Sequence, residues 1–246
     1  MKQQPPARRG ATGALVCACA AALIAPLQAV AGEFGGSVAA TTDYVYRGLS
    51  QTRGQPAMQA DLHYRGSRRW VVGAWASTVN FDPRRGGSAE IDVYAGLDWT
   101  LDRDWDARLG VTHYFYPDDA SSLRYEYDEV SGSLTWQSRV SATVAWSPEV
   151  TRRSDIAVAR NASAISYELT ASQPLHGRLS AVAGLGYYDL PSVLRADYMF
   201  WNVGLNLGVG RAQLGLIYIA TDHVAERAFG YKAAANGLSG SLSWRF

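Results

Sequence analysis

The chain has 246 residues, 23 Lys and Arg against 22 Asp and Glu, 18% charged and 11% aromatic residues, and two cysteines. That length allows one or two ordinary domains or a single large all-β barrel. The near-neutral balance gives no electrostatic case for a nucleic-acid partner, and beyond the N-terminus no apolar run is long enough for a membrane-spanning helix.

The first element is a leader. Lys2, Arg8 and Arg9 give a basic start, residues 11–27 are apolar, and Ala29-Val30-Ala31 is a small-x-small site. This is the pattern of a secretory signal peptide over 1–31, cleaved after Ala31, with the mature domain over 32–246. Cys17 follows Ala14-Leu15-Val16 but comes too early in the apolar stretch for a lipoprotein site. Cys17 and Cys19 both fall in the leader, so a mature chain starting at Gly32 has no disulfide or cysteine-ligated metal. Loss of the leader removes three of the 23 basic residues and none of the 22 acidic ones, leaving a net charge of about −2. Lys232 is then the sole lysine, and the positive charge rests on arginine, which suits fixed, hydrogen-bonded positions.

From there the hydrophobic period is two. Val38, Ala40, Thr42, Tyr44 and Tyr46 share one face of the first expected strand. In EIDVYAGLDWTL (90–101), Ile91, Val93, Ala95, Leu97, Trp99 and Leu101 fall on one face and Glu90, Asp92, Tyr94, Gly96, Asp98 and Thr100 on the other. A helix would scatter those charges around its whole circumference. The alternation predicts twelve strands at about 37–48, 57–65, 69–79, 90–101, 105–116, 125–136, 139–147, 163–172, 179–189, 198–208, 212–221 and 237–246. Short connections at 65–69, 101–105, 137–139, 174–178 and 208–211 alternate with longer ones at 50–56, 80–89, 117–124, 147–162, 190–196 and 222–235.

Long and short connections in alternation predict an all-β, transmembrane, antiparallel up-and-down β-barrel of about 12 strands, with tight periplasmic turns and longer extracellular loops. Trp70, Trp99, Trp105, Trp136 and Trp244 fall at the expected periplasmic rim, and Trp146 and Trp201 toward the outer one. Indole prefers those interfaces, where its ring meets lipid and its N–H meets water. The chain ends in LSGSLSWRF (238–246), apolar or small at every second position through Phe246. Such a tail reads as the closing strand, because an open edge in lipid leaves backbone groups unsatisfied. Its terminal aromatic resembles the signal read by the outer-membrane assembly machinery.

With the apolar stripe facing lipid, Asp43, Arg47, Gln59, Asp61, His63, Glu90, Asp92, Asp98, Arg108, Glu168 and Arg245 are expected to line the lumen. Charges there must pair across the barrel or meet water, giving a hydrated pore or a plug of ion pairs. Acids outnumber arginines in this set, which favours cations. Motifs for turnover are sparse. His63, His113, His176 and His223 are far apart and form no HExxH spacing, no GxSxG occurs, and the glycines of GLNLGVG (204–210) lack the following helix that a phosphate loop needs. No cofactor or metal is expected. An outer-membrane lipid-modifying enzyme would have to bring Ser and His together from separate strands, with His113 as its candidate.

TTDYVYRGLSQTRGQPAMQADLHY (41–64), GAWASTVNFD (73–82), EIDVYAGLDW (90–99), GYYDLP (186–191) and DYMFWNVGLN (197–206) together resemble the proteobacterial family of TorF-type porins, also called the Gcw_chp family. Tyr46 stands where that pattern often has Phe, Thr78 where it has Asn and Asn80 where it has Asp. The resemblance implies an outer-membrane barrel and a porin-like role without a defined solute. Asp43, Tyr44, Arg47, Gly48, Gln51, Trp75, Ala76 and Ser77 match family positions, and Asp43 with Arg47 is expected as an inward pair near the first loop. The expected function is passive diffusion of small hydrophilic solutes or ions in the cell outer membrane, among outer-membrane lipid. The alternatives are a closed structural or adhesion barrel acting through its loops, of which the arginine-rich segment 147–162 (Arg152, Arg153, Arg160) is the most capable, or the lipid-modifying enzyme.

Overall fold

Residue-by-residue alternation puts every second side chain on one face of a sheet, and here that sheet closes on itself. The structure, a computed structural model, describes residues 32–66, 69–81, 88–117, 126–150, 162–190, 197–234 and 236–246. The expected leader and Arg152, Arg153 and Arg160 lie outside the described residues.

In chain order the elements are β1 (Glu33–Thr41), β2 (Val45–Tyr46), β3 (Leu49–Ser50), β4 (Ala57–Arg65), β5 (Trp70–Val79), β6 (Ser88–Thr100), β7 (Trp105–Phe115), β8 (Tyr127–Trp136), β9 (Val140–Val150), β10 (Ala162–His176), β11 (Leu179–Asp189), β12 (Tyr198–Val209), β13 (Ala212–Thr221), α1 (His223–Phe229) and β14 (Gly237–Arg245). All but β2, β3 and α1 form a closed antiparallel barrel of twelve strands, each paired with its neighbours in the sequence. Closure is made by β14 against β1, with Ser37 opposite Arg245 and Thr41 opposite Ser241. Phe246 and Gly36 then exchange both backbone hydrogen bonds at 3.1 Å. The described barrel strands leave no open edge in the wall, which is the condition for a sheet to sit in lipid.

The two faces differ as the alternation requires. Val72, Val93, Leu109, Val111, Leu134, Val144, Leu169, Leu185, Val203, Leu205, Leu216 and Leu242 all point outward and are exposed. An apolar belt running around the whole wall is what a bilayer, not water, accommodates. Inward positions carry mostly Ser, Thr, Gly, Asn, Tyr and charged residues, with apolar ones such as Val71, Val79 and Phe200 among them.

One sequence expectation is corrected. The first strand was placed at 37–48 with Thr42, Tyr44 and Tyr46 on its lipid face; instead β1 begins at Glu33 and leaves the wall after Thr41. The chain then turns inward as a two-stranded hairpin, with Val45 paired to Ser50 and Tyr46 to Leu49. Its bend is Arg47-Gly48, at φ 48° and 78°. Two consecutive positive φ angles are what a tight type I′ hairpin demands, and glycine supplies the second without strain. A side chain at 48 would be further blocked, since its Cβ would lie 2.6 Å from both Phe200 Cβ and Thr221 Cγ2. Helix α1, within the long connection expected at 222–235, is the other addition. Asp222 caps it, accepting from the Val224 and Ala225 amides at 2.9 and 3.0 Å.

Candidate functional site

The hairpin emerges between β1 and β4 and its tip crosses to the far wall. At its stem the Asp43 carboxylate accepts hydrogen bonds from the Ser50 and Thr52 hydroxyls, and the Tyr44 amide donates to Thr52 Oγ1 at 3.1 Å. Tyr44 meets Trp75 of β5 in a tilted ring contact at 5.3 Å between centroids, and the Tyr46 hydroxyl lies 3.0 Å from that of Tyr114 on β7. At the tip, Arg47 donates from Nη1 and Nη2 to the two oxygens of Glu129 on β8, at 2.8 and 3.0 Å, and from Nε to Glu168 on β10 at 3.0 Å. The Tyr46 and Tyr188 rings flank its guanidinium at 4.7 and 4.8 Å. Tyr198 on β12 donates to the Arg47 carbonyl at 3.0 Å. A planar fork against one carboxylate, a third donor against a second, and two aromatic faces use Arg47 fully.

The segment after β13 braces the hairpin from the extracellular end. The Ser50 amide donates to the Ala233 carbonyl at 2.7 Å, and Phe229 of α1 meets Tyr198 edge-on at 5.6 Å. Ala225 and Ala234 are buried in an apolar cluster with Tyr198 and Phe200, against which Leu49 also packs. The extracellular half of the lumen is therefore filled.

Beside the stem, Glu90 and Asp92 of β6 face inward and are buried. The Tyr44 and Tyr116 hydroxyls bond to the Glu90 carboxylate. Burial, reinforced by the nearby Glu90 and Asp92 carboxylates, pushes the Tyr44 phenol well above its ordinary value and keeps it a donor. Among the described residues, Glu90 Oε2 and Asp92 Oδ1 have no hydrogen-bond partner.

Toward the periplasmic end the lumen opens. A cavity of about 710 Å³ is lined by Arg65, Asp98, Thr100, Asp106, Arg108 and Ser133, among others. Asp98 accepts from Arg65 and from two nitrogens of Arg108, its cross-strand partner, while half of the Arg108 side chain remains open to the lumen. Deeper in, the Asp61 carboxylate contacts His63 Nδ1 and accepts from the Tyr94 hydroxyl, both at 2.7 Å. Gln59 reaches Ser77 at 3.5 Å, and Arg245 donates to Gln213 at 3.0 Å.

Of the residues expected to line the lumen, Gln59, Asp61, His63, Glu90, Asp92, Asp98, Arg108, Glu168 and Arg245 sit on the inward face of wall strands, whereas Asp43 and Arg47 belong to the inserted hairpin. The expected inward pair of Asp43 with Arg47 is corrected: Asp43 binds hydroxyls of its own turn, and Arg47 binds carboxylates of the far wall. Glu129, Tyr188 and Trp75 join this site without having been singled out as lumen residues; each occupies the inward parity of its strand. Trp70, Trp99, Trp105, Trp136, Trp146, Trp201, Trp244 and Phe246 occupy the outer surface, with Trp105 directly opposite Trp136 and Trp201 packed on Tyr218 at 5.5 Å. His113 also faces outward, paired with Asp128 at 2.8 Å between the exposed Val111 and Phe115, so it does not meet the lumen.

Solved structures of similar shape are outer-membrane barrels. The NanC porin superposes with a TM-score of 0.54 at 13% identity, over 85% of this chain and 97% of its own. The KdgM porin gives 0.52 at 7%, over 86% and 98%, and an outer-membrane channel from Pseudomonas putida F1 gives 0.50 at 12%, over 87% and 94%. At such identities the likeness establishes the fold. No curated protein matches the chain in sequence. A family model does, over residues 28–244, and its description is a bacterial protein of unknown function: the chain belongs to the Gcw_chp family.

Proposed function

We propose that this barrel is an outer-membrane channel for passive diffusion of small hydrophilic solutes or ions, with the hairpin at 44–52 as its constriction. The observation that carries the reading is the division of the lumen. A periplasmic half lined by Gly, Ser, Thr and partly exposed ion pairs leads to an extracellular half occupied by one inserted hairpin whose tip is held by a single arginine. A wall that served only as a scaffold has no need of a wide polar vestibule behind its plug. The porins and the channel of similar shape support the same reading. Lipid of the outer membrane surrounds the apolar belt, and the β14 strand ending in Phe246 is the segment offered to the assembly machinery.

Around the constriction the described charges include Arg47 against Asp43, Glu90, Asp92, Glu129 and Glu168. That surplus of acid favours cations over anions. The test is single-channel conductance of residues 32–246, refolded and inserted in a planar bilayer, beside a variant in which 45–50 is replaced by a Gly-Ser linker. Discrete salt-dependent steps in either protein support a channel, larger ones being expected without the hairpin. Silence from both folded proteins overturns it in favour of a closed barrel acting through its loops, a reading favoured by the burial of Arg47 and Gly48 at the hairpin tip. A reversal potential favouring anions refutes the cation preference.

A further inference from the structure

The two carboxylates beside the hairpin stem are left unexplained by Arg47. Glu90 and Asp92 are two residues apart on β6, so both project into the lumen, about 6.8 Å apart along the strand. Glu90 is 1% exposed and Asp92 9%, yet Glu90 Oε2 and Asp92 Oδ1 have no hydrogen-bond partner among the described residues. Buried anionic oxygens without donors are costly and rarely persist. Their surroundings offer no compensating charge among the described residues. The guanidinium of Arg47 is committed to Glu129 and Glu168, and the charged groups acting on Asp92 are Glu90 and Glu129, both acids.

We propose that Glu90 and Asp92 bind one divalent cation, calcium by preference, between β6 and the stem of the hairpin. An ion placed between them at the usual calcium–oxygen distance of about 2.3–2.6 Å takes up both orphan oxygens and matches their two charges. Calcium tolerates irregular sets of oxygen ligands, including water from the vestibule, whereas magnesium demands a near-octahedral shell and gives up its water reluctantly. The site is also joined to the hairpin. Tyr44 bonds to Glu90 and packs at a tilt on Trp75, and Trp75 stands directly opposite Asp92 across β5 and β6. Occupancy therefore pins the stem to the wall at β6, beside the Arg47 anchor on β8 and β10. This inference concerns a resident ion and stands whether or not the barrel conducts.

The test uses the folded barrel, residues 32–246, in detergent free of lipopolysaccharide and stripped with chelator. Terbium serves as a luminescent substitute for calcium, since excitation of Tyr44 or Trp75 is transferred only to an ion beside them. Calcium itself is measured by calorimetry, with magnesium and sodium as comparators. The expected result is one saturable site per chain, terbium luminescence displaced by calcium, and at least a tenfold loss of affinity in both Glu90→Gln and Asp92→Asn. These variants keep the side-chain shape, and a heat-modifiable gel band checks that each is folded. Absence of saturable binding in the wild type overturns the proposal, as does binding that survives unchanged in both variants. It is equally overturned if calcium has no effect on the wild type while the neutral variants are more heat-resistant, which assigns the orphan oxygens to a shared proton.

Discussion

Replacing Arg47 by alanine should unseat the hairpin while leaving the barrel standing. The substitution removes three charge-assisted hydrogen bonds at 2.8–3.0 Å and two cation–π contacts. Most of the penalty is the carboxylate left behind: the Glu129 side chain is 8% exposed, so its charge has no water to turn to, while Glu168 at 28% is partly screened and contributes less. Removing one partner of a buried pair costs about 3–5 kcal/mol. At 1.4 kcal/mol per factor of ten, the seated hairpin loses on the order of 10²-fold to several thousand-fold in its equilibrium against withdrawn states. The wall ladders do not involve residue 47, so the heat-modifiable folded band should persist. In planar bilayers Arg47→Ala should show a larger open fraction or larger steps than the wild type, and Arg47→Lys, which keeps the charge but not the fork, should fall between them. The double variant Arg47→Met with Glu129→Gln removes both ends of the pair and should restore most of the closed behaviour. A folded Arg47→Ala barrel indistinguishable from the wild type in conductance and open time would refute the anchoring role.

Three further outcomes follow from the same geometry. Gly48→Val places a β-branched side chain at a φ of 78° with its Cβ against Phe200 and Thr221, so hairpin seating should lose at least about 1–3 kcal/mol, read as a conductance change like that of Arg47→Ala in a folded barrel. Leu205 and Asn206 are adjacent on β12 but face lipid and lumen respectively; Leu205→Arg should cost roughly 2–4 kcal/mol in urea unfolding from lipid vesicles and Asn206→Arg much less, and equal costs would refute the assigned faces. Deleting Phe246 removes both hydrogen bonds to Gly36 at the seam and should lower unfolding stability by about 1–3 kcal/mol, with slower refolding into vesicles.

The wall was legible because lipid enforces strict alternation. The expected strands at 57–65, 179–189 and 212–221 coincide with β4, β11 and β13, and the faces of β6 follow directly from EIDVYAGLDWTL. The first strand was misplaced for a physical reason: alternation through Tyr44 and Tyr46 says that the backbone is extended, not which sheet it joins. The Arg47-Gly48 pair carries the turn signal, yet a two-residue bend inside a run of alternating residues is easily read through. Helix α1 is announced by Asp222 as an N-cap, but seven residues are too few for a helical period to stand out. That Glu129 points inward follows from its place in β8; that it meets Arg47 depends on how far a hairpin reaches across a closed barrel, which no local pattern encodes.

The site itself answers a packing problem set by strand number. Eight strands enclose a space that side chains can fill, whereas twelve leave a lumen too wide for them, so it must hold water or an inserted segment. This chain does both, and the choice of residue follows the choice of filling. Where the hairpin enters, the wall presents large aromatic and acidic side chains, Tyr114, Glu129, Tyr188 and Tyr198, which meet it in hydrogen bonds and ring contacts. Where it does not, the inward positions shrink to Gly96, Gly110, Ser131 and Ser133, and charges such as Arg108 stay partly open to the lumen. In the channel reading proposed above, a solute arriving from the periplasmic side reaches the hairpin through the open vestibule, and the hairpin it meets is held at its tip by Arg47. In that reading, control of passage rests on a single cation and its carboxylates rather than on the barrel, which is why substitutions at 47 and 129 should alter conduction in a wall that remains intact.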